Sequence, residues 1–269
     1  MPDAAAFLEA DNVSVQFGGL TAVDAVSMSA DRGEVVGVIG PNGAGKTTLF
    51  NALVGAVRAT GSVRLNGTDV TQWPVHRRAR AGLGRTFQRL ELFGSMTVAE
   101  NLRFATEAGA LGERPWRLLR RDRFQAADRA DEILGLVGLG DDGDRPAADL
   151  PPGSARLLEL GRALCADPQM LLLDEPSSGL DVAETTAFAA TLRAIVADRG
   201  VGIVLVEHDV SLVLALCARL YVLEFGRCIA DGKTKAVAAK PEVRAAYLGD
   251  LLTTQVSRRR SRKAIGPTQ

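Results

Sequence analysis

Eight consecutive residues, Gly40-Pro41-Asn42-Gly43-Ala44-Gly45-Lys46-Thr47, match the pattern G-x-x-x-x-G-K-[ST] at every fixed position. The chemistry this spacing serves is the grip on a phosphate chain. Glycines let the backbone turn sharply so that its N–H groups face the β-phosphate, and the positive end of the helix that follows adds to the field. Asn42, Gly43, Ala44, Gly45 and Thr48 then belong to the nucleotide-binding loop. Lys46 reaches the β- and γ-phosphates, and the Thr47 hydroxyl binds Mg2+. An acidic pair, Asp174-Glu175, closes the apolar run Met170-Leu171-Leu172-Leu173. The spacing predicts Asp174 as a magnesium ligand and Glu175 as the acceptor of a proton from attacking water. A plain glycine turn beside a lysine, or a surface-reaching strand capped by two acids, are the bland alternatives.

These groups work only if strands carry them to one edge. Residues 35–39 form a short apolar run directly before the glycine-rich loop, residues 48–54 read as a helix, and residues 170–173 and 203–206 read as buried parallel strands. The last of these ends in Glu207-His208-Asp209, at the carboxyl edge where open α/β sheets place ligands. Residues 13–17 alternate as a strand. Between about residues 87 and 162 the texture turns helical, with a capping box at Thr97-Val98-Ala99-Glu100, which predicts a helical lobe inserted in the α/β core. A helix over 210–217, a strand over 220–225, short helices to about 250 and a basic flexible tail over 251–269 complete the reading.

Bulk composition narrows the function classes. The 269 residues include 32 Lys+Arg and 32 Asp+Glu, so no net field concentrates the protein on nucleic acid, and none is expected as a partner. Three scattered cysteines, Cys165, Cys217 and Cys228, lack metal-ligand spacing and suit a reducing compartment. The first ten residues carry Asp3 and Glu9, unlike a signal peptide, and no apolar run approaches the roughly 20 residues of a membrane span. A role at a membrane therefore requires docking on other subunits. His76, in an arginine-rich stretch, reads as a solvated residue, and the basic runs at 114–123 and 258–263 as a solvated helix face and a tail.

From about residue 7 to residue 249 the chain resembles the ATP-binding subunits of ABC transporters. Thr86-Phe87-Gln88 looks like the family's Q-loop, which implies that Gln88 contacts magnesium or water and reports nucleotide state to a membrane subunit. Ser178-Gly179-Leu180-Asp181 looks like the D-loop, placing Asp181 at a dimer interface. His208 looks like the switch histidine that meets the γ-phosphate, and Phe17 stands where the family stacks an aromatic ring on adenine, although a lone aromatic also fits a core. Phe17-Gly18-Gly19-Leu20-Thr21-Ala22-Val23, Arg85-Thr86-Phe87-Gln88, residues 92–102 and Ala246-Tyr247-Leu248-Gly249 resemble a narrower group, the importers of branched-chain amino acids.

The resemblance implies an α/β fold: a P-loop NTPase, RecA-like core over 7–86 and 163–232, an antiparallel β subdomain, a helical lobe over 87–162 and closing helices over 233–250. It implies ATP and Mg2+ as cofactors. Implied partners are a second ATPase subunit, two transmembrane permease subunits and, indirectly, an extracytoplasmic solute-binding protein, with the chain peripheral to the cytoplasmic face of the inner membrane. Urea or amide import, lipopolysaccharide export, and a regulatory cassette with weak hydrolysis are the alternatives.

One stretch departs from the family. Where it carries Leu-Ser-Gly-Gly-Gln, a signature that meets the γ-phosphate held by the facing subunit, this chain has Leu150-Pro151-Pro152-Gly153-Ser154. Pro151 removes the serine hydroxyl, and the two prolines remove two backbone donors. Gly153 and the positive end of the next helix remain as the expected phosphate contacts, with Pro151, Gly153 and Ser154 at the dimer interface. The departure predicts a weak half-site donated to the partner, an intact half-site kept at home, and an asymmetric heterodimer.

Overall fold

The computed structural model describes residues 6–86, 90–111 and 120–243. Strands β1 (Leu8–Phe17) and β2 (Leu20–Ala30) form a hairpin, followed by β3 (Val35–Ile39) and helix α1 (Lys46–Val54). Next come β4 (Thr60–Leu65), β5 (Thr68–Asp69), α2 (Val75–Arg80) and β6 (Leu83–Arg85). Three helices succeed one another, α3 (Val98–Leu111), α4 (Arg120–Leu136) and α5 (Pro152–Leu164). The chain then returns through β7 (Met170–Asp174), α6 (Val182–Arg199), β8 (Gly202–Val206), α7 (Val210–Leu216), β9 (Arg219–Glu224) and β10 (Arg227–Lys233) to the short α8 (Thr234–Ala238) and α9 (Pro241–Val243).

Two sheets result. One is antiparallel, in the order β2-β1-β4-β5, and the other runs β10-β9-β3-β8-β7-β6. In the second sheet β3 lies parallel between β9 and β8, β7 is parallel to β8 and β6 to β7, while β10 turns back antiparallel on β9. Strands β3, β7 and β8 are buried at every residue, which is why they read as unbroken apolar runs. Successive side chains of a strand point to opposite faces. Accordingly Leu171, Leu173, Ile203 and Leu205 join one core with Leu102, Ile133 and Leu158 of the helical segment. Met170, Leu172, Val204 and Val206 join a second core with α1 and the β1–β2 hairpin.

The middle segment is helical, and Thr97 opens α3 with the reciprocal bonds of a capping box: its N–H donates to Glu100 Oε2 at 2.8 Å, and the Glu100 N–H donates to Thr97 Oγ1 at 3.2 Å. Strand β9 stops at Glu224, one residue short of the expected end, because Phe225 turns into a left-handed conformation at φ 45°. Phe87, Gln88 and Arg89, residues 112–119, and everything from residue 244 on, including the closing Ala246-Tyr247-Leu248-Gly249 and the basic tail, lie outside the described residues.

The far end of α1 is tied down by a buried arginine. The Arg78 guanidinium donates to the carbonyls of Ala52 (2.9 Å), Leu53 (2.6 Å), Thr71 (2.7 Å) and Trp73 (3.1 Å). Two of these are C-terminal carbonyls of the helix that leaves the glycine-rich loop, groups with no partner inside the helix. The Ala52 carbonyl keeps the Gly55 N–H at 3.1 Å, so Arg78→Met chiefly strands the Leu53 carbonyl and is expected to cost about 1–3 kcal/mol of stability, read from urea unfolding; a loss below about 0.5 kcal/mol means that water takes over the carbonyl.

Candidate active site

The sheet delivers its chemistry at the carboxyl ends of four neighbouring strands. Val38 pairs with Val206, and Val206 with Asp174, so the residues that follow β3 and β8 and the end of β7 lie at one level. On the other side of β7, the N–H of Thr86 donates to the Leu172 carbonyl at 3.0 Å, which brings the end of β6 to the same edge. Gln88 itself lies outside the described residues.

Residues 40–45 turn between β3 and α1 with Gly43 at φ 82° and Gly45 at φ 99°. Gly45 has a second reason to lack a side chain: a Cβ there would sit 2.4 Å from the Ala22 carbonyl oxygen on β2. That close approach presses the hairpin against the loop. Phe17, at the end of β1 opposite Leu20, is 52% exposed, so its ring is not core. The Gly226 N–H also donates to the Ala44 carbonyl at 3.1 Å, bracing the loop from the β9–β10 turn.

Lys46 is buried, with its ammonium donating to the carbonyls of Gly40 (2.6 Å) and Pro41 (3.0 Å). Burial holds it below the ordinary lysine range, opposed by the carboxylates of Glu175 and Asp174. The Thr47 hydroxyl donates to Asp174 Oδ1 at 3.5 Å. Burial pushes the Asp174 carboxyl above the usual range, opposed chiefly by the Arg85 guanidinium, whose Nη2 lies 3.2 Å from Asp174 Oδ2. A hydroxyl and a carboxylate side by side are hard oxygen donors, and a protein offering few of them beside a phosphate site suits magnesium.

Glu175 takes a left-handed conformation at φ 49°, a strained state for a residue with a side chain. Its N–H donates to the Val206 carbonyl at 2.9 Å and its carbonyl accepts from Ser178 at 3.1 Å, so the backbone around it is fixed. His208 follows β8 with an exposed side chain, its Nδ1 3.8 Å from Glu207 Oε2.

The signature-equivalent stretch departs from expectation in one respect. Pro151 is the cap of α5 and Pro152 its first residue, a position where a missing N–H costs the helix nothing. The Gly153 N–H, expected to remain as a phosphate donor, instead donates to Glu184 Oε1 at 3.2 Å. Asp181 caps α6, accepting from the Glu184 N–H at 2.8 Å, while its own N–H donates to Glu184 Oε2 at 2.9 Å. One carboxylate thus joins Asp181 to the start of α5. No contact of Ser154 enters this arrangement, and its side chain is half-buried.

Known proteins place this geometry. A model of the ABC transporter family matches residues 23–178. The chain belongs to the ABC transporter family. Its ATP-binding cassette is 37% identical over 251 residues to the high-affinity branched-chain amino acid transport ATP-binding protein BraF of Pseudomonas aeruginosa, covering 90% of this chain and 98% of the relative. The same figures hold for LivG of Escherichia coli, a protein of the same description. Among solved structures, an ABC transporter ATP-binding cassette in its ADP conformation is similar with TM-score 0.79 at 32% identity, over 90% of this chain and 98% of that one. A nucleotide-free cassette gives TM-score 0.78 at 31% identity, with the same coverage. No helix among the described residues is long and apolar enough to cross a membrane.

Arg85, which in the sequence stands out only as the first residue of Arg85-Thr86-Phe87-Gln88, also belongs to this candidate site. Arg85 reaches Asp174 from β6 and also donates to Asn51 Oδ1 on α1, so it fixes the buried carboxylate relative to the phosphate loop. Outer partners of metal-binding carboxylates are commonly worth about 10–100-fold in metal affinity or activity. Arg85→Met is expected to raise the magnesium concentration that half-saturates ATP hydrolysis by about tenfold or more; an unchanged magnesium titration would remove Arg85 from the site.

Proposed function

We propose that this chain is the ATP-hydrolysing subunit of an importer for branched-chain or similar hydrophobic amino acids. It works at the cytoplasmic face of the membrane with a second cassette subunit and two permease subunits, served by an external solute-binding protein. The observation that carries the reading is the 37% identity with BraF and LivG across almost their whole length, joined to a sheet edge that assembles Lys46, Thr47, Asp174, Glu175 and His208.

The residues divide the work as follows. Phe17 offers its exposed ring to the adenine. Backbone N–H groups of residues 42–48 and the α1 N-terminus hold the phosphates, and Lys46 exchanges its loop carbonyls for phosphate oxygens. Thr47 and Asp174, with Gln88 as the family's pattern implies, hold Mg2+, which when bound neutralises charge developing on the phosphates. Glu175 accepts the proton of the attacking water. His208 meets the γ-phosphate from the next strand.

The donated half-site is weak on three counts. Pro151 has no hydroxyl, two backbone donors are gone, and Gly153's N–H is taken by Glu184. A phosphate brought there meets the Glu184 carboxylate, a like charge. Charge-assisted hydrogen bonds are worth about 1.5–3 kcal/mol each, so losing two slows the facing site by about 100-fold or more. The reading is therefore an asymmetric heterodimer, in which the partner brings a complete signature to this chain's ATP.

Three experiments test it. In the assembled transporter, Lys46→Ala is expected to abolish ATP-driven uptake of leucine; uptake at the wild-type rate would sink the nucleotide site. The purified chain alone is expected to hydrolyse ATP at a small fraction of its rate with the cognate partner. Robust turnover by the isolated chain, lost on Glu175→Gln, would overturn the asymmetry. Pro151→Ser with Pro152→Gly and Glu184→Gln is expected to raise turnover of the isolated chain.

A further inference from the structure

Glu207 is the last residue before His208, and its side chain is fully buried. Its Oε1 accepts the Ser177 N–H at 2.8 Å. Its Oε2 accepts the N–H of His208 at 3.1 Å and faces that of Asp209 at 3.5 Å. A single carboxylate therefore spans two loops. One is the turn that begins at the strained Glu175, and the other carries His208. Burial pushes the Glu207 carboxyl up, and the Ser177 side chain, next in size, opposes it together with the Ser177 backbone N–H. The groups that face it are the exposed His208 imidazole and the Cys217 thiol, itself pushed up to about 12 by burial. Neither is a permanent cation.

A buried carboxylate without a charged partner is costly, and a fold needing only a strand end here has cheaper choices. Threonine or serine would supply one oxygen, which cannot serve loops on both sides. The carboxylate is the side chain with two acceptor oxygens pointing in different directions and no donor to spoil either bond. When the carboxyl is ionised these bonds are of the charge-assisted kind.

We propose that Glu207 is a positioning residue for ATP hydrolysis, one carboxylate that sets Glu175 and His208 at a fixed distance by holding the backbone of both their loops. The proposal rests on the catalytic reading of Glu175 and His208 given above. It acts on the chemical step and leaves ATP binding to the loop at residues 40–47.

The test is Glu207→Gln, which keeps the volume but turns one acceptor into a donor facing a backbone N–H, in the chain assembled with its partner and permease subunits. At saturating ATP, kcat is expected to fall about tenfold or more while KM and the affinity for a fluorescent ATP analogue change less than about twofold. A folded Glu207→Gln variant with wild-type kcat would overturn the proposal. So would equal changes in kcat and binding. Glu207→Asp, which keeps the charge but shortens the reach, provides the second variant should the glutamine protein not fold, with the same split expected. A double-mutant cycle separates positioning from mere stability: in a His208→Ala background Glu207→Gln is expected to cost less than about threefold, and a full multiplicative loss would count against it. If His208→Ala and Glu175→Gln themselves leave turnover unchanged, the catalytic reading fails rather than this one.

Discussion

Parallel pairing of β6, β7, β8 and β3 is the constraint on which the site depends. Each pair advances in register, Leu83 with Met170, Met170 with Gly202, and Ile203 with Val35, so the strands end together and their following residues share one rim. A parallel sheet of this kind has no polar face. Its strands are buried on both sides, and the only places where they can present polar groups are their ends. Asp174 and Glu207 are buried at those ends and Lys46 at the start of the helix after β3, and the same cause, loss of water, shifts the pKa of all three against the charged form. The site is thus a ring of desolvated charges held in place by a sheet whose two faces are committed to separate cores.

That arrangement explains why strain sits at Glu175. The residue must leave a buried strand, turn its backbone within one position and keep its N–H bonded to Val206 on the neighbouring strand. The left-handed conformation meets these demands, at a cost of about 1–3 kcal/mol for a residue with a Cβ. The surrounding bonds over-determine it: Ser178 on the Glu175 carbonyl, and Ser177 on Glu207. Gly45 solves the opposite problem. It lets the glycine-rich loop touch the β1–β2 hairpin with nothing between, so the exposed Phe17 at the hairpin's end is held relative to residues 40–45 by backbone contact.

Much of this was legible in the sequence where the cause is local. The glycine spacing of residues 40–47, the apolar runs ending in Asp174 and Val206, and the Thr97–Glu100 box each carry their physics within a few neighbouring residues. What stayed hidden is what depends on pairing across the fold. Arg85 meets Asp174 from 89 residues away, and Glu184 meets Gly153 from 31. Nothing in either local stretch points to the other. Glu207 left a faint signal, a charged residue directly after five buried apolar ones, but its partner Ser177 lies 30 residues off. Phe17 shows the limit in the other direction. A lone aromatic at a strand end fits a core as well as a ligand, and its exposure removes the core reading without naming a ligand.

Glu184 carries the proposed asymmetry further than the prolines do. A helix beginning with Pro151 and Pro152 still presents the positive end of its backbone dipole, and an anion could use it. In this chain an anion already does: the Glu184 carboxylate accepts from Gly153 with one oxygen and from the Asp181 N–H with the other. Because the second bond belongs to the capping box of α6, withdrawing the carboxylate from Gly153 also loosens the start of that helix. A phosphate from a facing subunit would have to displace an internal carboxylate that two elements hold, without the hydroxyl and the two N–H groups that would repay the exchange. The same contact gives the folded chain a satisfied helix terminus that it would otherwise leave open. On the proposed reading, the contact that closes this helix terminus is also the one that would weaken the half-site offered to a facing subunit.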